Sequence, residues 1–402
     1  MSAVKESTEL RLTRMLYVAS LLISTVLIIG LVFAQPMKSN IAASYLWGAA
    51  LVLGTVLIGA CKGKRRKYLR FFLLLAALNI ILVPPELYLR LKGFRFESGI
   101  QFGYPRPSQF SVFIPDEKLF WKFDPSPPSM NSYGFEGREI TRPKPAGIYR
   151  IVFLGNSCTY QGAPLVIESM LRGTHPEIEC INFSTPGYTT YQGRIIAQSY
   201  LAEVEPNLVI VSYGWNDRWL AYGSSDEDKK IVVSSNAGAA AFGHLYSRWR
   251  LLQFFRKTLS PILGSTEPLD VSRVPIDQFK KNLETIGSEA EKLGIPVIYV
   301  TEPSSHPIAG VPTYIVQSKF AKSNEAALAL FREYTDVIRE VSHERSSWRL
   351  IDLDAAMSPR SDVRELFTVD GIHYSKTGTA VVAAIEANYI NDHFLASHET
   401  KK

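Results

Sequence analysis

Tyr149-Arg-Ile-Val-Phe-Leu-Gly-Asn-Ser157 decides the reading of this chain. Its apolar run, Tyr149 to Leu154, reads as a buried strand that stops at Gly155 and presents a serine at its tip. More than two hundred residues later stands Asp370-Gly-Ile-His373, which places a carboxylate and an imidazole three residues apart. These are the parts of a serine-hydrolase site. A hydroxyl becomes a nucleophile only when a positioned base takes its proton.

Outward from that strand the pattern alternates. Strands are predicted at Arg150–Leu154, Ile178–Phe183, Leu208–Tyr213, Pro296–Thr301 and Arg349–Leu353. Helices are predicted at about Leu165–Arg172, Tyr191–Glu203, Ile276–Leu293, Glu325–Ser342 and Lys376–Asp392. Continuous apolar strands between amphipathic helices imply an α/β fold: a parallel sheet of about five strands between two helical layers. In such sheets the ligand site lies at the carboxyl ends of the strands. Residues 218–275 interrupt the alternation and read as an insertion over the site, with a helix candidate near Leu245–Leu259.

Upstream, residues 93–147 are rich in proline and aromatics and read as an extended connector that packs on the domain. Residues 1–92 read as a membrane anchor. Met15–Ala34 and Ile41–Ala60 are uncharged and about 20 residues each, enough to span a bilayer. Phe71–Val83 is shorter and reads as a third span or a re-entrant segment. Lys62-Gly-Lys-Arg-Arg-Lys67 marks the cytoplasmic side, so three spans put the large domain outside the cytoplasm. Arg90, Lys92 and Arg95 run against that rule.

The 402 residues carry a formal charge of +6. The first hundred hold 13 Lys/Arg and 4 Asp/Glu, which leaves the rest at −3. The basic excess therefore sits with the apolar N-terminal part, and no stripe of basic and aromatic residues suggests nucleic acid. The three cysteines show no metal spacing such as C-x-x-C, and Cys158 and Cys180 read as buried free thiols or, in an exported domain, a bridge. Cys61 ends an apolar run. No metal or organic cofactor is implied, and the oligomeric state is not legible.

Four blocks stand in order: Gly155-Asn-Ser157-Cys-Thr159, Asn182-Phe-Ser-Thr-Pro-Gly187-Tyr-Thr189, Gly214-Trp-Asn216-Asp217 and Asp370-Gly-Ile-His373. Together they resemble the SGNH (GDSL-type) hydrolase superfamily, over roughly residues 148–393 and with its flavodoxin-like fold. The resemblance implies Ser157 as nucleophile, His373 as base and Asp370 as the carboxylate orienting it. It also implies an oxyanion hole from the backbone N–H of Ser157, the N–H of Gly187 and the side-chain amide of Asn216. Asn156 stands where the superfamily usually has aspartate. Asp217 is expected to be structural. His306, in Glu302-Pro-Ser-Ser-His306, reads as a solvated loop residue or a rim contact to substrate, and His175, His244 and His343 as surface residues. Asn131-Ser-Tyr-Gly-Phe-Glu-Gly137 and Lys144-Pro-Ala-Gly147 are similar to the lead-in of membrane-anchored bacterial members, often linked to envelope polysaccharide.

The expected activity is a membrane-anchored, extracytoplasmic serine esterase that removes or transfers O-acyl groups on an envelope or exported glycan. Two alternatives stand beside it. One is a lipid or thioester hydrolase with the same triad. The other is a non-catalytic glycan-binding or assembly protein on a decayed fold, for which Asn156 is the ground.

Overall fold

The computed structural model describes residues 85–86, 88–92, 94, 112–125, 127–229, 249–263 and 268–396. The three apolar runs, the basic loop, Cys61 and His244 lie outside them. Among the described residues no helix is long and apolar enough to cross a membrane.

The larger unit holds a five-stranded sheet: β3 (Tyr149–Gly155), β4 (Ile178–Asn182), β5 (Leu208–Ser212), β6 (Val297–Val300) and β7 (Trp348–Ile351). The order is β4-β3-β5-β6-β7 and every pairing is parallel. The chain steps from β3 to one side, then crosses back to build the other. That reversal puts the switch point of the sheet between β3 and β5, and doubly wound sheets bind ligands beyond the carboxyl ends of the strands at such a point. Each predicted strand is present to within two residues at either end.

Strand residues face opposite ways in turn, and the two faces carry two cores. Val152, Leu154, Val209, Val211, Val297 and Tyr299 pack with α3 (Thr190–Val204) and α5 (Ile276–Lys292). Ile151, Phe153, Ile210, Ile298 and Val300 pack with α2 (Ala163–Leu171) and α7 (Lys376–Ile390). The long helix α6 (Asn324–Ser342) contributes to both, with Tyr334 and Ile338 in the first and Phe331 in the second. Both faces of β5 are covered, which is why it reads as unbroken apolar sequence.

Glu386 on α7 is buried and has no partner among the described residues. Burial pushes its carboxyl up to about 8. Its folded pKa thus lies above its unfolded value, so the stability it lends is present below about pH 4.5 and is lost as pH rises toward 8. Glu386→Gln is expected to raise Tm by ~10 °C at about pH 9 and to leave it nearly unchanged at about pH 4, as read by circular dichroism.

The aromatic lead-in belongs to this unit. Strands β1 (Phe113–Asp116) and β2 (Phe120–Phe123) form an antiparallel hairpin. Phe120, Trp121, Phe123 and Phe135 are buried in the first core, and Phe135 lies 4.6 Å from Phe183 between ring centres. Asn131 fixes the intervening turn by accepting from the N–H groups of Tyr133 and Phe135.

Both ends of the expected 218–275 insertion also belong to it. Trp219, Leu220 and Ala221 are buried. Arg273 N–H donates to Trp219 O, and Ala221 N–H to Val271 O, so the two stems are zipped together. The helix within the insertion, α4 (Arg250–Leu263), falls in a second unit with residues 85–94. There the Glu86 carboxylate accepts from the N–H groups of Arg250 and Leu251 and pairs with Arg90. Those N–H groups lie at the start of a helix, where no intrahelical acceptor exists.

Cys158 and Cys180 are free and buried, and no bridge joins them. Burial raises both thiols well above their ordinary pKa, which disfavours the reactive thiolate.

Candidate active site

Gly155 ends β3, and the chain turns at once into the one-turn helix α1 (Ser157–Tyr160). Asn156 makes the turn: its Oδ1 accepts from Cys158 N–H at 2.9 Å. Ser157 is the first helical residue, where a backbone N–H has no intrahelical acceptor.

The fourth block reaches it from α7's leading loop. His373 Nε2 lies 2.9 Å from Ser157 Oγ, and His373 Nδ1 lies 2.6 Å from Asp370 Oδ2. The other Asp370 oxygen accepts from the N–H groups of Ile372 and His373 and from the Thr368 hydroxyl. Burial works against the ionised carboxyl, but these hydrogen bonds, His373 first, hold it well below the usual carboxylate range. An ionised Asp370 keeps the proton on Nδ1 and leaves the Nε2 lone pair for the Ser157 hydroxyl. Three groups scattered over two hundred residues thus form one hydrogen-bonded relay.

The expected oxyanion donors sit on the adjacent strand ends. Register pairs Phe153 with Asn182 and Gly155 with Ser212, so the loops after β3, β4 and β5 start side by side. Asn216 donates one amide hydrogen to Tyr188 O at 2.9 Å, next to Gly187. Gly187 has φ +86°, and a Cβ there would meet the Trp121 ring at 2.9 Å. Both the left-handed backbone and the crowding demand glycine. Asp217 is fully buried and accepts from Thr190 N–H and Oγ, which caps α3. Burial pushes its carboxyl up to about 7, against the pull of those two bonds.

Several supporting residues escaped the sequence reading. Asp226 and Arg273 form a fully buried ion pair at 2.7 Å. Arg273 Nη1 donates to Gly187 O, and Thr189 Oγ to Asp226. The insertion's stems therefore clamp the glycine loop. Asp226 sits in Ser224-Ser-Asp-Glu-Asp-Lys-Lys230, which looks like a solvated charge run and gives no hint of burial. Trp121, from the lead-in hairpin, covers the same loop, and its carbonyl accepts from the Tyr188 hydroxyl at 2.6 Å.

His306 is neither solvated nor a rim contact. It is 5% exposed, and its Nε2 lies 2.7 Å from Asp370 O. A carbonyl only accepts, so this nitrogen carries the hydrogen. His175, in the loop before β4, is likewise buried, with its Nε2 3.2 Å from Asn391 Oδ1. His343 is exposed, as expected. Asn156 is fully engaged: besides capping α1 it donates to Glu302. That removes the sequence ground for a decayed site.

Solved structures resemble the chain weakly. A lipase/acylhydrolase from Enterococcus faecalis matches at 18% identity and TM-score 0.40, over 61% of this chain and 96% of its own. A GDSL-like lipase from Bacteroides thetaiotaomicron matches at 16% and 0.38, over 60% and 88%. A catalytic mutant of an acetylxylan esterase from Geobacillus stearothermophilus matches at 14% and 0.38, over 60% and 94%. No curated protein sequence matches the chain. The family model of the GDSL-like lipases and acylhydrolases matches residues 153–381, more than half of the chain and all four blocks. The chain belongs to the GDSL-like lipase/acylhydrolase family and is an ester-hydrolysing serine hydrolase.

Proposed function

We propose that this hydrolase is anchored in a membrane, faces away from the cytoplasm, and removes O-acyl groups, acetyl first among them, from an envelope or exported glycan. The observation that carries the chemistry is the relay Asp370–His373–Ser157, with contacts of 2.6 and 2.9 Å. His373 takes the Ser157 proton as Oγ attacks the ester carbonyl. The tetrahedral oxyanion is held by the N–H groups of Ser157 and Gly187 and by the Asn216 amide. The intermediate collapses, the departing sugar oxygen receives the proton from His373, and an acyl-Ser157 remains. Water, deprotonated by His373, releases the acid and regenerates the serine. A sugar hydroxyl in place of that water turns hydrolysis into transfer.

The anchoring rests on the apolar runs 15–34, 41–60 and 71–83, and the orientation on Lys62–Lys67. The glycan rests on the likeness of the lead-in to envelope-polysaccharide members. Acetate release from O-acetylated polysaccharide tests the reading. Wild type is expected to liberate acetate and Ser157→Ala to liberate none. Equal release by both, or release only of long-chain acids from lipid esters, would overturn it.

A further inference from the structure

Five residues after β6, Glu302-Pro-Ser-Ser-His306, touch three of the four blocks. Glu302 is 3% exposed. One of its carboxylate oxygens accepts from Asn156 Nδ2 at 2.7 Å, the other from the backbone N–H of Trp215 at 2.8 Å. Further along, Ser304 Oγ and Ser305 N–H both donate to Gly371 O at 3.1 Å, and His306 holds Asp370 O.

Asn156 and Trp215 each stand one residue before a working group, Ser157 and Asn216. Each is a donor aimed at its own oxygen of a single carboxylate. A carboxylate is the side chain that presents two acceptors and no donor. We propose that Glu302 is a positioning residue: it joins the turn that carries Ser157 to the loop that carries Asn216 and so sets the distance between nucleophile and oxyanion donor. The proposal rests on the reading of Ser157 as nucleophile.

The geometry of the two donors, and not its titration, identifies the role of this buried carboxyl. Burial raises Glu302 above the usual carboxylate range, against the pull of the Trp215 and Asn156 donors and of the Arg218 guanidinium. Arg218 is itself buried, its guanidinium 3.5 Å from the centre of the Trp215 ring, and burial lowers it to about 9. Both side chains thus contact Trp215, Glu302 at its backbone N–H and Arg218 at its ring.

The arrangement can be exchanged on paper. Glu302→Gln turns one acceptor into a donor, so an N–H faces either Asn156 or Trp215. Asn156→Asp sets two carboxylates against each other. The two changes together restore every bond, with the new amide donating to the new carboxylate. The test measures p-nitrophenyl acetate hydrolysis by the full-length chain for both single variants and the exchanged pair, with Tm for each. Each single change is expected to lower kcat by ~10–100-fold with KM little altered, and the exchanged pair to recover ~10-fold or more over the slower single variant. A wild-type kcat in Glu302→Gln, or an exchanged pair no faster than the slower single variant, would overturn the proposal. Should Glu302→Gln fail to fold, the exchanged pair still decides: folded and active supports the proposal, unfolded or inactive rejects it. Ser157→Ala runs alongside. Unchanged hydrolysis there would remove the nucleophile reading itself, a different failure from that of Glu302.

Discussion

Asn216→Ala is expected to lower kcat for ester hydrolysis by about 10²–10³-fold while KM stays close to that of the wild type. The amide of Asn216 spends one hydrogen on Tyr188 O, and that bond aims the other. A donor held in place before the reaction needs no reorganisation when the oxyanion forms, so its loss falls on the transition state and not on substrate binding. Gly187→Ala is expected to fall in the same range by another route. The new methyl meets Trp121 at 2.9 Å, and φ of +86° is strained for alanine by about 1–2 kcal/mol. The loop must shift, and its N–H with it. Thermal unfolding adds a second reading: both variants should lower Tm, Asn216→Ala by leaving Tyr188 O without its donor and Gly187→Ala by strain and crowding. A rise in KM with unchanged kcat would mean that these groups bind the ground state instead.

The sheet was legible because both of its faces are covered. Val152 and Ile151 are both buried although they point opposite ways, and that leaves an unbroken apolar run between helices. The relay was legible because Ser157, Asp370 and His373 lie in short local blocks whose chemistry is narrow. What stayed hidden depends on contacts distant along the chain. Glu302 follows a strand in a polar stretch, and its partners Asn156 and Trp215 lie 146 and 87 positions away. Asp226 is masked by the charges beside it, and its partner Arg273 comes from the far stem of the insertion. Trp121 looks like connector until the hairpin folds over Gly187. His306 and His175 sit in loops whose sequence does not reveal that both are buried, against Asp370 and Asn391. Local pattern reports which face a residue presents, and says little about which loop closes over it.

The most direct measurement of the central claim is p-nitrophenyl acetate hydrolysis by Ser157→Ala, His373→Ala and the double variant. Serine and imidazole act as one unit across a 2.9 Å contact. A hydroxyl without its base is a poor nucleophile, and a base without the hydroxyl has nothing to deprotonate. Removing either should therefore abolish the same step, and removing the second should add little. Each single change is expected to lower kcat by roughly 10⁴–10⁶-fold, with the double variant no slower than the slower single one. Residual hydrolysis would come from the oxyanion donors and binding alone. A Ser157→Ala enzyme that keeps the wild-type rate, or a double variant whose loss is the product of the two single losses, would contradict the account.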